Sequence, residues 1–510
     1  MKDFYDVVII GSGLGGLVSA NILAKENMRV CVLEKNQQFG GNLQTFSRDK
    51  VIFDTGVHYI GGLDKGQNLY TYFKYLDIIN ELNLKKLDTN GFDIISFDND
   101  NKEYKYAQGY ENFIDTLSKD FPNEKEAITK YINLLKKYCN KFPLYNVKEG
   151  KPAYIRNPEL LTVKAKILIE SLTKNKKLQA VLSGTNFLYA GYKEHTPFYL
   201  HALSVNSFIE SSYRVMNGGS QISKVLVKKL RAWGGDAFKR HEVNKFKFKD
   251  GKVSSVICSN GIEIRGKLFI SNVDPKITLN LLNTKLLRKS YQNRIKNIEN
   301  VIGGFSVYIV LKPNTFEYKN RNYYHIKDYN KIWEIQDYSE ETWPLGYMMS
   351  MGVKKNNQKW GEAITLMTYM KYSDVKKWEN SFNSTINKNS RGKSYDDFKK
   401  MKTEKMIIEV EKKFPNIRNC IKNIYTSTPL SYRDYIGCYE GGIYGYVKDA
   451  DNPLRSFVSP KTKIKNLLLT GQCLNMHGIL GVTVGAILTC SEILDQNYLI
   501  NKITSYIDKQ

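Results

Sequence analysis

Three glycines near the start of the chain have the spacing at which a backbone can bind a pyrophosphate. Gly11, Gly13 and Gly16 form a G-x-G-x-x-G motif. In such a motif the first glycine allows a tight turn, the second lets the backbone approach the phosphates, and the third lets a helix pack closely on a strand. Glu34 follows about 20 residues later, where a carboxylate accepts hydrogen bonds from a ribose. Together these residues predict a dinucleotide-binding site.

The elements around the motif are those that such a site needs. Residues 5–10 form an almost wholly apolar run, which predicts a strand buried on both faces in a parallel sheet. Residues 17–24 predict a helix with an apolar stripe, and residues 29–34 predict a second strand that ends in the acid. A lone G-x-G-x-x-G is weak evidence, but this order of elements favours a ligand site over a glycine-rich turn without a ligand.

Two further stretches resemble a particular group of flavoproteins. Gly40 and Gly41 allow the chain to pass close to the cofactor a second time, and residues 53–62 read FDTGVHYIGG. The glycine pair resembles the family that includes amine oxidases and phytoene desaturases. The second stretch is similar to the FDTG-x-HY segment of its retinol saturase and prolycopene isomerase branch. The resemblance implies FAD as the cofactor and an α/β fold, with a Rossmann-like FAD-binding domain of the glutathione reductase and amine oxidase type.

The resemblance also divides the chain into two domains. Residues 1–85, 206–280 and 461–510 are expected to form a discontinuous FAD-binding domain, and residues 86–205 and 281–460 an α+β substrate domain. In the second FAD segment, alternation and turn residues predict antiparallel strands. They cover residues 238–249, 252–259 and 262–265. In the substrate domain we expect strands at 301–311, 322–326, 332–335 and 363–370, and a mostly helical stretch over 374–410.

The FAD contacts implied by the resemblance come from all three FAD segments. The backbone of Val243 is expected to meet the adenine. A helix that begins near Gly478 is expected to direct its positive N-terminus at the flavin. Gln472 stands where many relatives carry Asp, a departure that the retinol saturase branch tolerates. The full predicted set is Gly11, Ser12, Gly13, Leu14, Gly15, Gly16, Glu34, Lys35, Gly40, Gly41, Asn42, Gly56, Val57, His58, Val243, Gly471, Gln472, Gly478, Gly481, Val482 and Thr483.

The chemistry implied by the resemblance is that of an oxidoreductase on a hydrophobic polyene, such as a carotenoid, a retinoid or another isoprenoid. Saturation, desaturation and cis–trans isomerisation all remain open. Saturation needs a hydride from the flavin and a proton from a general acid. The candidates are His58, Tyr59, Tyr444 and His477, with His58 first because an imidazole can hold a proton near neutral pH. A flavin amine oxidase and a flavin-binding lipid carrier without turnover are the alternatives.

The sequence also bears on the electron partners, surfaces and metals with which the protein interacts. With no second motif of this kind, electrons are expected to pass through NAD(P)H in the substrate cavity, a quinone, oxygen or another protein. The net charge of +25 indicates either an anionic membrane surface or scattered, solvated lysines. Nucleic acid is not expected, because no reader motif accompanies the charge. The seven cysteines form no C-x-x-C and no metal-ligand spacing, so we expect no metal site.

One stretch bears on membrane attachment. Residues 158–172 place apolar side chains near helical spacing with lysines between them. They predict either an interfacial helix or an amphipathic helix that closes the substrate domain. No apolar run reaches about 18 residues, and no signal peptide precedes the first strand. We therefore expect a cytoplasmic protein, with peripheral attachment to the inner face of the membrane as an open alternative.

Overall fold

The structure is a computed structural model that describes residues 2–150, 158–354, 357–384 and 390–506. Its strands, in chain order, are β1 (Phe4–Ile10), β2 (Val30–Leu33), β3 (Thr45–Arg48), β4 (Val51–Asp54), β5 (Ile60–Gly61), β6 (Leu84–Lys86), β7 (Asp93–Phe97), β8 (Asp100–Tyr106), β9 (Ser212–Val215), β10 (Asp236–Phe238), β11 (Val243–Lys249), β12 (Lys252–Cys258), β13 (Glu263–Ser271), β14 (Gly303–Leu311), β15 (Asn322–Ile326), β16 (Gly346–Lys354), β17 (Asn357–Met370), β18 (Ile421–Ser427) and β19 (Leu467–Leu469). Its α-helices are α1 (Leu14–Lys25), α2 (Asn68–Tyr75), α3 (Tyr110–Asp120), α4 (Lys125–Cys139), α5 (Ala165–Glu170), α6 (Lys176–Leu182), α7 (Phe198–Glu210), α8 (Ser220–Ala232), α9 (Pro275–Leu282), α10 (Lys289–Lys296), α11 (Lys393–Lys413), α12 (Ile417–Cys420), α13 (Pro429–Ser431), α14 (Gly478–Cys490) and α15 (Gln496–Thr504).

The first sheet carries the glycine motif at the end of its central strand. Strands β10, β2, β1, β13 and β19 lie side by side and run parallel. The register pairs Val7 with Val30 on one side and with Leu268 on the other. Helices α8 and α14 both pack on α1, which covers one face of the sheet. The predicted parallel sheet with a buried first strand is confirmed.

The predicted strand over 238–249 is in fact two strands. Strand β10 ends at Phe238 and pairs in parallel with β2. Strand β11 begins at Val243 and opens an antiparallel meander with β12 and the first half of β13. The chain turns between the two strands, where Arg240 has a positive φ of 57°. The antiparallel meander itself lies where the alternation of apolar and polar residues predicts it.

The second sheet has the strand order β18-β14-β17-β16-β15-β7-β8. All of its neighbouring strands are antiparallel except β15 and β7. The predicted strand at 332–335 was wrong: the Asp328 side chain accepts a hydrogen bond from the Asn330 N–H, and a 3-10 turn at Tyr329–Lys331 leads into further turns. Strands β16 and β18 were not predicted. The stretch expected to be mostly helical becomes a 3-10 turn at Tyr372–Trp378 followed by α11.

A small three-stranded sheet places β9 between β5 and β6. Gly61 pairs with Ser212, and a Cβ on Gly61 would lie only 2.5 Å from the Ser207 carbonyl carbon, so the chain needs a glycine here. Strand β9 also brings the side chain of Arg214 into the interior. The predicted domain boundaries, which fall near this sheet, stay a prediction.

Residues 158–172 do not form one amphipathic helix. A 3-10 turn at Pro158–Leu161 precedes α5, which buries Ala165 and Ile169 and leaves Ile167 49% exposed. The lysines of this stretch are paired, Lys164 with Asp451 and Lys166 with Glu194. Among the described residues, no helix is both long and apolar enough to cross a membrane.

Candidate functional site

A cavity of about 530 Å³ lies against the carboxyl ends of the parallel strands. Ile10, Glu34, Asn272 and Thr470, which end or directly follow β1, β2, β13 and β19, all line it. The cavity continues between α7, α14 and the second sheet, where Tyr324 forms part of its wall. In open parallel sheets, ligands bind outside the carboxyl ends of the strands, so this is where the glycine motif predicts a site.

The glycine turn is built so that the backbone forms the cavity wall. Gly11 has a φ of 91°, a conformation that side chains disfavour. A Cβ on Gly13 would lie 2.7 Å from Nδ2 of Asn272, whose amide also donates to the Gly11 carbonyl at 3.3 Å. Gly13 pairs with Gly40, and a Cβ on Gly41 would lie 3.2 Å from the Gly13 Cα. The segment at Gly40 and Gly41 therefore lies directly beside the glycine turn, as predicted for the second approach of the chain to the cofactor.

Glu34 is held in place by three hydrogen bonds. One carboxylate oxygen accepts from the Ser12 N–H at 3.1 Å and from the Ser12 hydroxyl at 2.5 Å. The other oxygen accepts from the Asn36 N–H at 2.8 Å. The side chain is 5% exposed and lines the cavity. Its position is thus fixed by the same turn that carries the glycines.

Two helix N-termini end at the cavity without a side-chain cap. Helix α1 begins after Gly13 and α14 begins after His477, and neither of these residues caps its helix with a side-chain hydrogen bond. Two buried polar atoms of the cavity-lining residues, Thr470 Oγ1 and Asn475 Nδ2, find no hydrogen-bond partner within the described part of the chain. Free N–H groups and positive helix ends attract anions such as phosphates, so this wall fits a phosphate-containing ligand.

The structure brings nearly all predicted cofactor residues to this one cavity. Those that line it are Gly11, Ser12, Gly13, Leu14, Gly15, Glu34, Lys35, Gly40, Gly41, Asn42, Gly56, Val57, His58, Val243, Gly471, Gln472, Gly478, Gly481 and Val482. The two exceptions are Gly16 and Thr483. A Cβ on Gly16 would lie 2.3 Å from the Gly11 carbonyl oxygen, so this glycine serves the packing of α1 on the turn. The Thr483 hydroxyl is buried and donates to the Ile479 carbonyl at 2.8 Å.

The part of the cavity away from the glycine turn is lined mostly by apolar side chains. Leu454, which is 72% exposed, also lines the cavity, so the cavity reaches the surface there. A wall of this kind favours a hydrocarbon ligand, because burying apolar surface is worth about 25 cal/mol per Å². The apolar side chains include Leu161, Phe187, Leu188, Leu203, Phe208, Met348, Met367 and Leu480.

All four predicted catalytic candidates line the cavity, but the two histidines are not charged there. Burial, together with the charge of Arg214, lowers the pKa of His58 to about 4. Burial likewise lowers the pKa of His477 to about 4, although its Nε2 lies 2.7 Å from the Leu188 carbonyl oxygen. Both imidazoles are therefore neutral at pH 7. This removes the physical reason for ranking His58 first as the proton donor.

Tyr59 belongs to a buried polar cluster that was not predicted. Its hydroxyl donates to Asp93 at 2.8 Å and lies 2.7 Å from the Tyr324 hydroxyl. Asn322 donates to the other Asp93 oxygen at 2.9 Å, and Arg214 donates to the Asn322 amide oxygen at 2.9 Å. Asp93 interrupts an otherwise apolar run over 92–95, and this was the signal that could have revealed it. A charge inside a buried strand needs partners.

Comparisons with known proteins agree with these observations. Residues 9–76 match a family model described as an NAD(P)-binding Rossmann-like domain. An all-trans-retinol 13,14-reductase of Danio rerio is 27% identical over 96% of this chain and 86% of its own length. A prolycopene isomerase of an Oncidium hybrid cultivar is 25% identical over 96% of this chain and 84% of its own length. A putrescine oxidase structure, at 13% identity, superposes with a TM-score of 0.62 over 98% of this chain and 99% of its own.

The structural likeness confirms the predicted α/β fold, with its Rossmann-like domain of the amine oxidase type. The two sequence likenesses extend beyond the glycine motif and cover both sheets. The chain is similar in sequence to all-trans-retinol 13,14-reductases and prolycopene isomerases, the proteins whose FDTG-x-HY segment it resembles.

Proposed function

We propose that this protein is an FAD-dependent oxidoreductase that acts on carbon–carbon double bonds of a hydrophobic polyene or isoprenoid. The observation that carries the proposal is a single cavity that joins the glycine turn and Glu34 to an apolar chamber. A dinucleotide at the turn and a hydrocarbon in the chamber would then share one enclosed space. Relatives named for retinol and prolycopene support the substrate class.

The chain offers suitable partners for each part of FAD. Glu34 would accept hydrogen bonds from the adenosine ribose, and the backbone near Val243 would face the adenine. The turn from Gly11 to Gly15 and the N-terminus of α1 would bind the pyrophosphate. The uncapped N-terminus of α14 would stabilise negative charge on the ring system. When bound, the flavin supplies two-electron hydride chemistry.

The apolar chamber would orient the substrate and exclude water. Side chains such as Phe187, Phe208 and Met348 offer no hydrogen-bond partner to a polar ligand, so they select for hydrocarbon. Identification of the product distinguishes saturation, desaturation and isomerisation. We propose NAD(P)H, a quinone or oxygen as the electron partner, and a membrane surface as the source of a lipid substrate.

The test is anaerobic turnover with a defined polyene. The purified protein should be yellow, and its photoreduced flavin should be reoxidised by all-trans-retinol or prolycopene, with chromatography identifying the product. Mixing with putrescine in air, with peroxide as the readout, tests the amine oxidase alternative. Peroxide release with putrescine and no polyene product would contradict the proposal. A flavin that no polyene reoxidises and no amine reduces would leave the carrier without turnover.

A further inference from the structure

Three buried oxygen-bearing side chains form a continuous hydrogen-bonded row at the cavity wall. The Asp93 carboxylate lies 2.8 Å from the Tyr59 hydroxyl, which lies 2.7 Å from the Tyr324 hydroxyl. The three side chains are 0%, 6% and 1% exposed in that order. Tyr59 and Tyr324 line the cavity. Each gap is within the range over which a proton passes between oxygens without any movement of the chain.

Asp93, at the buried end of the row, lies where opposing influences allow it to be either protonated or ionised. Burial favours the neutral acid, whereas the Asn322 amide, the Tyr59 hydroxyl and the charge of Arg214 favour the carboxylate. The outcome is a pKa of Asp93 raised to about 7. Carboxyls poised near the working pH are the ones that can both give and take a proton.

Among the described residues, no carboxyl group other than Asp93 is hydrogen-bonded to Tyr59 or Tyr324. Tyr106 of β8 feels the Asp93 charge, and its buried phenol donates to the Val181 carbonyl. Arg214 donates to the Met351 carbonyl at 2.6 Å and to the Asn322 amide oxygen. The other groups that act on Arg214 are Tyr318 and Asp54. Asp93 is thus the carboxyl group in direct contact with the two tyrosines, through its hydrogen bond with Tyr59.

We propose that Asp93, Tyr59 and Tyr324 form a proton chain for double-bond reduction, in which Tyr324 donates to the substrate, Tyr59 relays and Asp93 supplies the proton. The inference rests on the proposed function, because it assigns the proton that saturation needs. His58 and His477 are less suited to this role, since burial lowers the pKa of both imidazoles to about 4.

The step balances in atoms and electrons. In the loaded state the Asp93 acid donates to Tyr59 and Tyr59 donates to Tyr324, which leaves the Tyr324 O–H free to face the cavity. The π bond of the substrate would break as Tyr324 gives its proton to one carbon, and a bound reduced flavin would supply the hydride to the other. Each hydroxyl then takes the proton of its neighbour. Asp93 ends as a carboxylate that accepts from Tyr59 and Asn322, and the flavin ends oxidised.

The first experiment needs no substrate. Infrared difference spectra of the flavin-loaded protein over a pH titration should contain the carbonyl stretch of a protonated carboxyl group that disappears as the pH rises through about 7. Asp93→Asn should remove this band. Asp54→Asn is the matched control, because burial also raises the pKa of Asp54 to about 7; it should remove a different band. If Asp93→Asn leaves every titrating carboxyl band in place, the row does not hold the proton.

The second experiment measures single turnovers of the reduced enzyme with all-trans-retinol in D₂O. Tyr324→Phe, Tyr59→Phe and Asp93→Asn should each slow saturation by roughly 10²–10⁴-fold, the usual contribution of a placed acid. The wild-type rate should fall above about pH 7, and Asp93→Asn should lose this dependence. Tyr131→Phe is the control, because Tyr131 is equally buried and lies 2.8 Å from His201 Nε2, yet does not line the cavity. Because the Tyr324 proton and the N–H of reduced flavin both exchange with solvent, the wild-type product should carry one deuterium on each carbon of the former double bond.

The two experiments separate the two proposals. A wild-type enzyme that neither saturates, desaturates nor isomerises any of the polyenes would overturn the proposed function, whereas the infrared titration would still decide whether Asp93 holds a proton. A Tyr324→Phe enzyme with the wild-type rate and pH profile would overturn the proton chain while leaving the proposed function intact.

Discussion

The rings of Tyr444 and His477 stack with their centroids 4.4 Å apart and their planes at 29°. His477 directly precedes α14, and its Nε2 lies 2.7 Å from the Leu188 carbonyl oxygen, so the donor is the ring N–H. Two residues predicted from separate motifs therefore form one rigid part of the cavity wall. Because the imidazole is neutral and already donates a hydrogen bond, the stacked pair is better suited to shaping the cavity than to moving a proton.

The glycine turn gives the first prediction. Gly13→Val should yield colourless protein, because the side chain would occupy the space of the pyrophosphate and also collide with the Asn272 amide, which lies 2.7 Å from the Cβ position. The measurement is flavin absorbance after purification, with circular dichroism to show that the protein is folded. Gly485→Ala in α14 is the control, since, apart from the backbone of its own helix, no atom of the described residues lies within 4 Å of its Cβ position. A yellow Gly13→Val protein would refute the assignment of the turn.

Glu34 gives the second prediction. Glu34→Ala should weaken FAD binding by roughly 1.5–3 kcal/mol, the loss expected for hydrogen bonds to a charged group. Titration of apoprotein with FAD measures this. The substitution also removes the acceptor of Ser12 and Asn36, so the melting temperature of the apoprotein should fall as well. Unchanged FAD affinity despite a lowered melting temperature would restrict Glu34 to a structural role.

His58 gives a prediction about pH. Since its pKa is lowered to about 4, His58 does not change charge at higher pH. Replacing it with Gln, a neutral side chain, should therefore keep the shape of the pH–rate profile between about pH 5 and 9, whatever happens to the absolute rate. A pH dependence that disappears in His58→Gln, and persists in Asp93→Asn, would make His58 the titrating group.

Asp93 gives a prediction about stability. Its folded-state pKa is raised from 3.8 to about 7, so the folded protein binds more protons than the unfolded protein between these values. Stability then falls as the pH rises across that window. Compared with the wild type, Asp93→Asn should become relatively more stable by up to a few kcal/mol between about pH 4 and 7. Denaturant unfolding of both apoproteins at several pH values measures the difference, which cancels the contributions of all other groups.

Membrane attachment gives the last prediction. Ile167 and Leu454 are exposed apolar side chains, 49% and 72% accessible, and Leu454 lies where the cavity meets the surface. If this region rests on a bilayer, replacing both with Ser should reduce sedimentation with anionic vesicles, and high salt should weaken the binding in part. Ile52→Ser is the control, because Ile52 is 46% exposed and does not line the cavity. A wild type that never sediments with vesicles would end the hypothesis.

The parts of the site that lie close together in sequence were predictable. The turn from Gly11 to Gly16 and the acid at Glu34 belong to one strand–helix–strand unit, where local spacing determines geometry. The row behind the cavity was not predictable, because Tyr59 and Tyr324 are 265 residues apart. Tyr324 also comes close to Asp93 only because β15 lies beside β7, and no local pattern encodes which strands become neighbours across such a distance.

The failures in the second sheet have a related cause. Ile332 and Ile335 are buried and suggest a strand, but they lie in turns that follow a 3-10 segment. A short apolar run in the sequence does not show whether it forms a strand or a buried turn. That depends on which segments of the folded chain pack against it. The 158–172 stretch shows the same limit, since its periodicity was real but its helix is interrupted.

The place of β19 in the first sheet has a consequence for how the protein comes off the ribosome. Its partner β13 and the helix that α14 packs against, α1, are made long before residues 467–490 appear. Until then the growing chain has an unprotected sheet edge and an uncovered side of α1. Domains generally fold as units during synthesis, and incomplete ones are prone to aggregation. Newly made chains of this protein are therefore expected to be more prone to aggregation before residues 467–490 have been made than after.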